Sequence, residues 1–156
     1  MGMKVTKSSL DRTLSRLEAA PKLVATATEE VFCEVLADVV GRIRNGELSS
    51  WDDNTGSLRS SVGGGVCRKG RIVKTCGFDT VLNGSEGADK GRKLLSELAA
   101  KYSRYDYVLI IVAGEEYAVY VEAIDGKVVL SSGLLYMEKT LPKLLRERIN
   151  KALRRL

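Results

Sequence analysis

"TGSLRSSVGGGVCRKGRIVKTCGF", residues 55–78, is the stretch whose reading decides the fold. Lys69-Gly70 is a two-residue turn signal between runs that carry the strand formers Val66, Ile72 and Val73, which predicts a hairpin of strands Ser57 to Arg68 and Arg71 to Phe78. A two-residue turn sets Cys67 opposite Ile72 and Gly63 opposite Cys76. Gly63, Gly64 and Gly65 then lie inside a strand, where glycine marks a bulge or the close approach of another backbone. The competing reading is a phosphate cradle. A Walker loop needs GxxxxGK followed by Ser or Thr between a strand and a helix. Neither this stretch nor "GSEGADKGRK" has that spacing, and GxGxxG is absent. The glycines are therefore expected to be structural, and no cofactor is expected.

Upstream, Val24, Ala27, Val31, Val35, Val39 and Ile43 recur at steps of three and four, which predicts an amphipathic helix from Lys22 to about Arg44. Its acids come first and Arg42 and Arg44 last, the order that suits the helix dipole, and Asn45-Gly46 supplies a stop. Ser8 or Ser9 caps a short helix to about Ala20, where Pro21 interrupts or restarts it. "ELSSWDDNTG" reads as a loop. Downstream, "DTVLNGSEGADKG" reads as a polar surface loop before a helix from Lys90 to Tyr102, and "YDYVLIIVAG" as the buried strand. "YAVYVEA" fits a strand or one helical turn, and "GKVVL" a short strand. Ser131 or Ser132 caps a last helix that Pro142 can kink. The expectation is one α+β domain over residues 1–156: a long N-terminal helix on a small, mainly antiparallel sheet, with a middle helix, a basic C-terminal helix, and residues 1–21 as a separable arm.

Composition narrows the function. With 44% hydrophobic and 29% charged residues the chain has the makeup of a globular protein. The longest apolar run, Tyr107 to Gly114, falls far short of the roughly 20 residues of a membrane span. The N-terminus lacks the apolar stretch of a secretory signal, so cytoplasmic synthesis is expected. The sequence contains no histidine, which removes the commonest general base, the usual triads and most transition-metal sites. Cys33, Cys67 and Cys76 lack CxxC spacing and read as small buried hydrophobes. Asp52, Asp53, Asp106, Glu115, Glu116, Glu122 and Asp125 would serve a carboxylate-held magnesium site of the nuclease kind, but the first pair and Glu115-Glu116 sit beside turn residues, where solvated acids are ordinary. From Glu138 to Leu156 seven bases face two acids, a local excess equal to the whole net charge of +5. Lys143, Arg146, Arg148, Lys151, Arg154 and Arg155 thus suit a helix end or a nucleic-acid contact. Tyr102, Tyr105 and Tyr107, interleaved with Lys101 and Arg104, fit a base-stacking platform or the junction of a helix with a strand.

Two stretches together resemble the neck or tail-completion proteins of long-tailed bacteriophages and prophages. The first, Trp51 to Val62, matches a TGxLRxS(I/V) segment at Thr55, Gly56, Leu58, Arg59, Ser61 and Val62; the second, Val112 to Ala123, matches a YAxYVE segment at Tyr117, Ala118, Tyr120, Val121 and Glu122. The order of helix, hairpin, YVE segment and C-terminal helix agrees from about Leu23 onward. After YVE the family continues with Gly-Thr and a proline-rich turn, whereas this chain runs Ala123-Ile124-Asp125-Gly126. The resemblance implies a non-enzymatic virion protein that assembles as a ring between head connector and tail, partnered by itself and by neighbouring phage proteins, with the genome passing through. It implies assembly in the host cytoplasm and a final place in the particle. It also implies that Leu58 points into the core and that Arg59 pairs with Glu122. The alternative is a small cytoplasmic nucleic-acid-binding domain that uses the basic C-terminal helix.

Overall fold

A computed structural model describes residues 7–51, 55–118, 122 and 128–156. The fold is α+β. In chain order it contains α1 (Lys7–Arg44), α2 (Ser57–Ser61), β1 (Val62–Arg68), β2 (Arg71–Gly77), α3 (Ser85–Lys101), β3 (Tyr107–Ala113) and α4 (Ser131–Leu153). The three strands form an antiparallel sheet in the order β2-β1-β3. Side chains alternate across the sheet as the strand period requires. Cys67, Ile110 and Val112 face α3 with Phe78, Leu95 and Ala99; Val62, Val66, Leu109 and Ile111 face α1 and α4. The result is a sheet packed by α1 and α4 on one face and by α3 on the other, with β2 exposed from Arg71 to Thr75.

The glycine-bearing strand, rather than β3, is the central one. β1 is buried from Val62 to Cys67, while β3 forms an edge that buries fully only Ile110 and Val112. The hairpin closes at Lys69-Gly70, both with positive φ (50° and 83°), and Cys67 faces Ile72 as expected. A register shift between Val66 and Cys67 then sets Gly64, not Gly63, opposite Cys76. The extra residue is Val73, a bulge in the exposed strand, where a kink disturbs no core contact.

Other departures have local causes. Residues 57–61 coil into α2 instead of beginning the strand, because Gly56 takes a left-handed φ of 77° and Ser60 N–H donates to the Gly56 carbonyl at 2.9 Å. Pro21 does not interrupt α1. An internal proline costs about 3 kcal/mol, but Pro21 faces solvent between good helix formers on either side. α3 begins at Ser85, well before Lys90, because Gly87, Ala88 and Gly91 are buried; packing overrides the weak helix propensity of the two glycines. Val128 to Leu130 form a bend, not a strand, and Gly126 and Lys127 of that expected strand lie outside the described residues.

The triple glycine is explained by what sits where its side chains would be. A Cβ on Gly63 would lie 2.7 Å from the Phe78 ring; on Gly64, 2.3 Å from the Ile110 carbonyl oxygen and 2.7 Å from Leu36 Cδ1; on Gly65, 3.1 Å from Leu95 Cδ2. Phe78, the largest fully buried side chain among the described residues, lies directly on the β1 backbone.

Candidate functional site

The two motif segments, some fifty residues apart in sequence, meet in space. Leu58 of α2 is buried against Ala118 and Val129, with Trp51, Ala113 and Leu130 packed around them. Gly114 N–H donates to the Ser61 carbonyl at 3.2 Å. The Ser57 hydroxyl donates to the Glu115 carboxylate, whose other oxygen accepts from Lys90 Nζ at 3.1 Å. Glu115 is only 6% exposed, so this bond and ion pair compensate its loss of water. They also tie α2, α3 and the end of β3 to one another.

Glycines make this meeting possible. A Cβ on Gly87 would fall 2.2 Å from the Ser57 carbonyl oxygen, and one on Gly91 2.4 Å from that of Ser61. α3 therefore rests on α2 through a stripe without side chains. The polar, glycine-rich stretch that reads as a loop is a packing surface.

Arg59 and Glu122 do not form the expected ion pair. Glu122 instead accepts the N–H groups of Val129 (3.1 Å), Leu130 (2.9 Å) and Ser131 (3.1 Å), and the Ser131 hydroxyl. It thus satisfies donors that the start of α4 leaves open, and its charge suits the helix N-terminus. The capping that Ser131 or Ser132 was expected to supply comes from Glu122. Burial pushes the Glu122 carboxyl up, but the four hydrogen bonds outweigh it and hold the group below its ordinary range. The joining of the LR segment falls to Arg44, which sequence reasoning takes only as a dipole-balancing cation. Its guanidinium donates to the carbonyls of Arg59 (2.8 Å), Val62 (3.1 Å) and Asp79 (2.8 Å), binding α1 to α2, β1 and the exit of β2. Burial pulls the Arg44 pKa down. An arginine near a helix end carries no signal of this role in the sequence.

The remaining motif positions stand as follows. Trp51 is half-buried beside Leu58, Thr55 and Gly56 form the turn into α2, and Tyr117 is exposed one residue before Ala118. Tyr120 lies outside the described residues, as do Asp52, Asp53 and Asp125.

Beside the junction is a cleft of about 890 Å³ lined by Lys90, Lys93, Glu97, Glu115, Glu116 and Glu122. Its chemistry is that of a cross-brace. The hydrogen bond and charge of Glu115 push Lys90 up, holding it a firm cation instead of a base. Ser57 spends its proton on Glu115, and Glu122 is committed to α4. Among the described residues no group of three or more His, Cys, Asp or Glu side chains is arranged to hold a metal ion. Cys67 is buried and Cys33 and Cys76 half-buried. Burial pushes the thiols of Cys33 and Cys67 up, away from the thiolate form a nucleophile needs.

The basic residues of α4 divide. Arg148 reaches Glu34 at 2.7 Å and Glu30 at 3.6 Å, pinning α4 to α1. Tyr136 adds a hydrogen bond to Asp38 at 2.7 Å, and Arg42 bonds Asp38 at 2.8 Å while lying over the Tyr136 ring. Lys143, Arg146, Lys151, Arg154 and Arg155 are exposed. With Lys139, the residues Lys143, Arg146 and Arg154 recur at helical spacing as an exposed stripe. The tyrosines divide too: Tyr102 and Tyr105 lie 6.4 Å apart at the surface, whereas Tyr107 packs edge-on to Phe32 at 6.0 Å.

No helix of the described residues is long and apolar enough to cross a membrane. No protein-family model, curated protein or solved structure matches the chain.

Proposed function

We propose that the protein is a structural component of the head-to-tail junction of a long-tailed phage or prophage, acting by ring assembly and not by chemistry. The observation that carries this reading is the convergence of the stretches that begin at Trp51 and at Val112 on one packed unit, through Leu58 with Ala118 of the YAxYVE segment and Ser57 with Glu115 just ahead of it. Two segments that carry one resemblance form one structural feature, as parts of a shared architecture should. The cleft beside the junction supports the same reading, since Lys90 and the adjoining Ser57 are both spent on the buried Glu115, which leaves neither side chain as an activated nucleophile.

The test is deletion of the gene from the phage or prophage that encodes it. The expected lysate holds filled heads and finished tails that fail to join, and purified protein added to it restores joined particles. Intact particles from the deletion would refute the proposal. The exposed stripe of Lys139, Lys143, Arg146 and Arg154 favours the second reading, a nucleic-acid-binding domain. That reading requires a DNA affinity that falls steeply with salt.

A further inference from the structure

The first turns of α1 carry an apolar ridge that no other described residue covers. Residues 8–19 are all exposed, including Leu10 (49%), Leu14 (48%) and Leu17 (64%), which fall on one face at steps of four and three. α4 runs antiparallel to α1, with Gly133 against Ile43, Tyr136 against Asp38 and Arg148 against Glu34. Its end therefore leaves the arm projecting about 20 Å past its last partner, at 1.5 Å per residue.

On another side lies an apolar groove of about 840 Å³ between β3 and α4, whose walls include Tyr102, Tyr105, Tyr107, Leu134, Met137 and Leu141. Leu134 is 49% exposed. The arm cannot fold back into it. Phe32 lines the same groove, and the unbroken α1 helix holds Leu14 about 27 Å from Phe32 at 1.5 Å per residue.

We infer that the groove receives the Leu10, Leu14 and Leu17 ridge of a second copy of this chain. Three features select that occupant. The ridge spans seven residues of helix, and the α4 wall offers Leu134, Met137 and Leu141 over the same seven-residue span, the match that lets ridges enter grooves. The charges are complementary. By helical periodicity Asp11 and Glu18 flank one side of the ridge and Arg16 the other. At the rim of the groove, Lys101 and Arg104 lie over the rings of its lining residues Tyr102 and Tyr105, and Glu138 stands on the α4 wall. Finally, ridge and groove are different surfaces of one chain, so their contact is head-to-tail, the type that closes rings. This names the subunit contact that the ring-assembly reading requires, and rests on that reading for closure of the ring.

The test uses full-length chains and sedimentation mass across concentration. An arm variant, Leu14→Glu with Leu17→Glu, keeps good helix formers at exposed positions, and a groove variant, Leu134→Glu, alters an exposed wall residue. Each alone should weaken self-association about tenfold or more, the scale set by exposing half-buried leucines to water. Mixed together, the two variants should form a dimer that goes no further, because one intact arm and one intact groove remain. A groove variant that no longer shows the wild-type thermal transition is replaced by Leu141→Ala, read in the same assay. Wild-type association that the arm variant leaves unchanged would overturn the arm-to-groove contact while leaving ring assembly through another surface standing. A wild-type chain that stays monomeric throughout, or a mixture that gives no dimer, would also overturn it. The gene-deletion phenotype depends on neither result.

Discussion

Replacing Gly64 by alanine tests the structural account of the triple glycine most sharply. The added methyl would sit 2.3 Å from the Ile110 carbonyl oxygen and 2.7 Å from Leu36 Cδ1, where about 3.4 Å is needed for ordinary contact between heavy atoms. Relief requires roughly 1 Å of movement between β1 and β3 or between the sheet and α1, and the closer obstacle is backbone in a paired strand. Overpacking of this kind costs about 3 kcal/mol, the upper part of the usual range. For a chain of this size each kcal/mol moves the melting temperature by about 2–4 °C, so Gly64→Ala should melt roughly 6–12 °C lower. Gly41→Ala is the control. It lies inside α1, and a Cβ there meets nothing within 4 Å, so the change should stabilise by about 0.5–1 kcal/mol. Both are read from thermal and urea unfolding followed by circular dichroism. Gly64→Ala unfolding within about 0.5 kcal/mol of the wild type would refute the packing argument, because an overpacked core position should cost more than that. A phosphate ligand that stabilised the wild type but not Gly64→Ala would restore the cradle reading.

Other consequences follow from single contacts. Glu122→Gln should cost about 1–2 kcal/mol at neutral pH, since charge-assisted bonds to the start of α4 become neutral ones. The pH dependence has a definite sign. The Glu122 carboxyl is held below its unfolded value, so its stabilisation is complete above the unfolded pKa and lost as pH falls through the lower folded one; Glu122→Gln should flatten that part of an acid-unfolding profile. Burial pushes the Asp38 carboxyl up, but hydrogen bonds from Arg42 and Tyr136 bring it below its ordinary range, so Tyr136→Phe should reduce the loss of stability over the same acidic window. Arg44→Ala should cost about 2–3 kcal/mol in urea unfolding, because it removes the donor shared by the carbonyls of Arg59, Val62 and Asp79. Lys143→Glu combined with Arg146→Glu should leave melting temperature and solution mass unchanged, because both side chains face solvent.

Much of this architecture is legible in the sequence because it depends on local period and turn chemistry. The α1 stripe from Val31 to Ile43 is buried as its spacing demands, and Lys69-Gly70 closes the hairpin with the positive φ angles that such a turn needs. What escapes is set by tertiary packing. Gly87 and Gly91 carry loop-forming composition yet lie inside α3, because only a surface without side chains lets it rest on α2. β3 is the most hydrophobic strand but takes the edge, since composition does not encode strand order. In the site, Leu58 lies in the core as expected. The partner of Glu122 is not legible, because a carboxylate reaching the start of a helix nine residues on leaves no regular spacing to read.

The claim that the protein works by assembling, without reading or processing nucleic acid, is tested most directly by its solution mass. Sedimentation across concentration, with and without a short DNA duplex at near-physiological salt, should give self-association that rises with concentration toward one discrete ring, with a mass the DNA does not alter. A stable complex with the duplex that dissolves steeply as salt rises would contradict the account and make the exposed cations of α4 the binding surface.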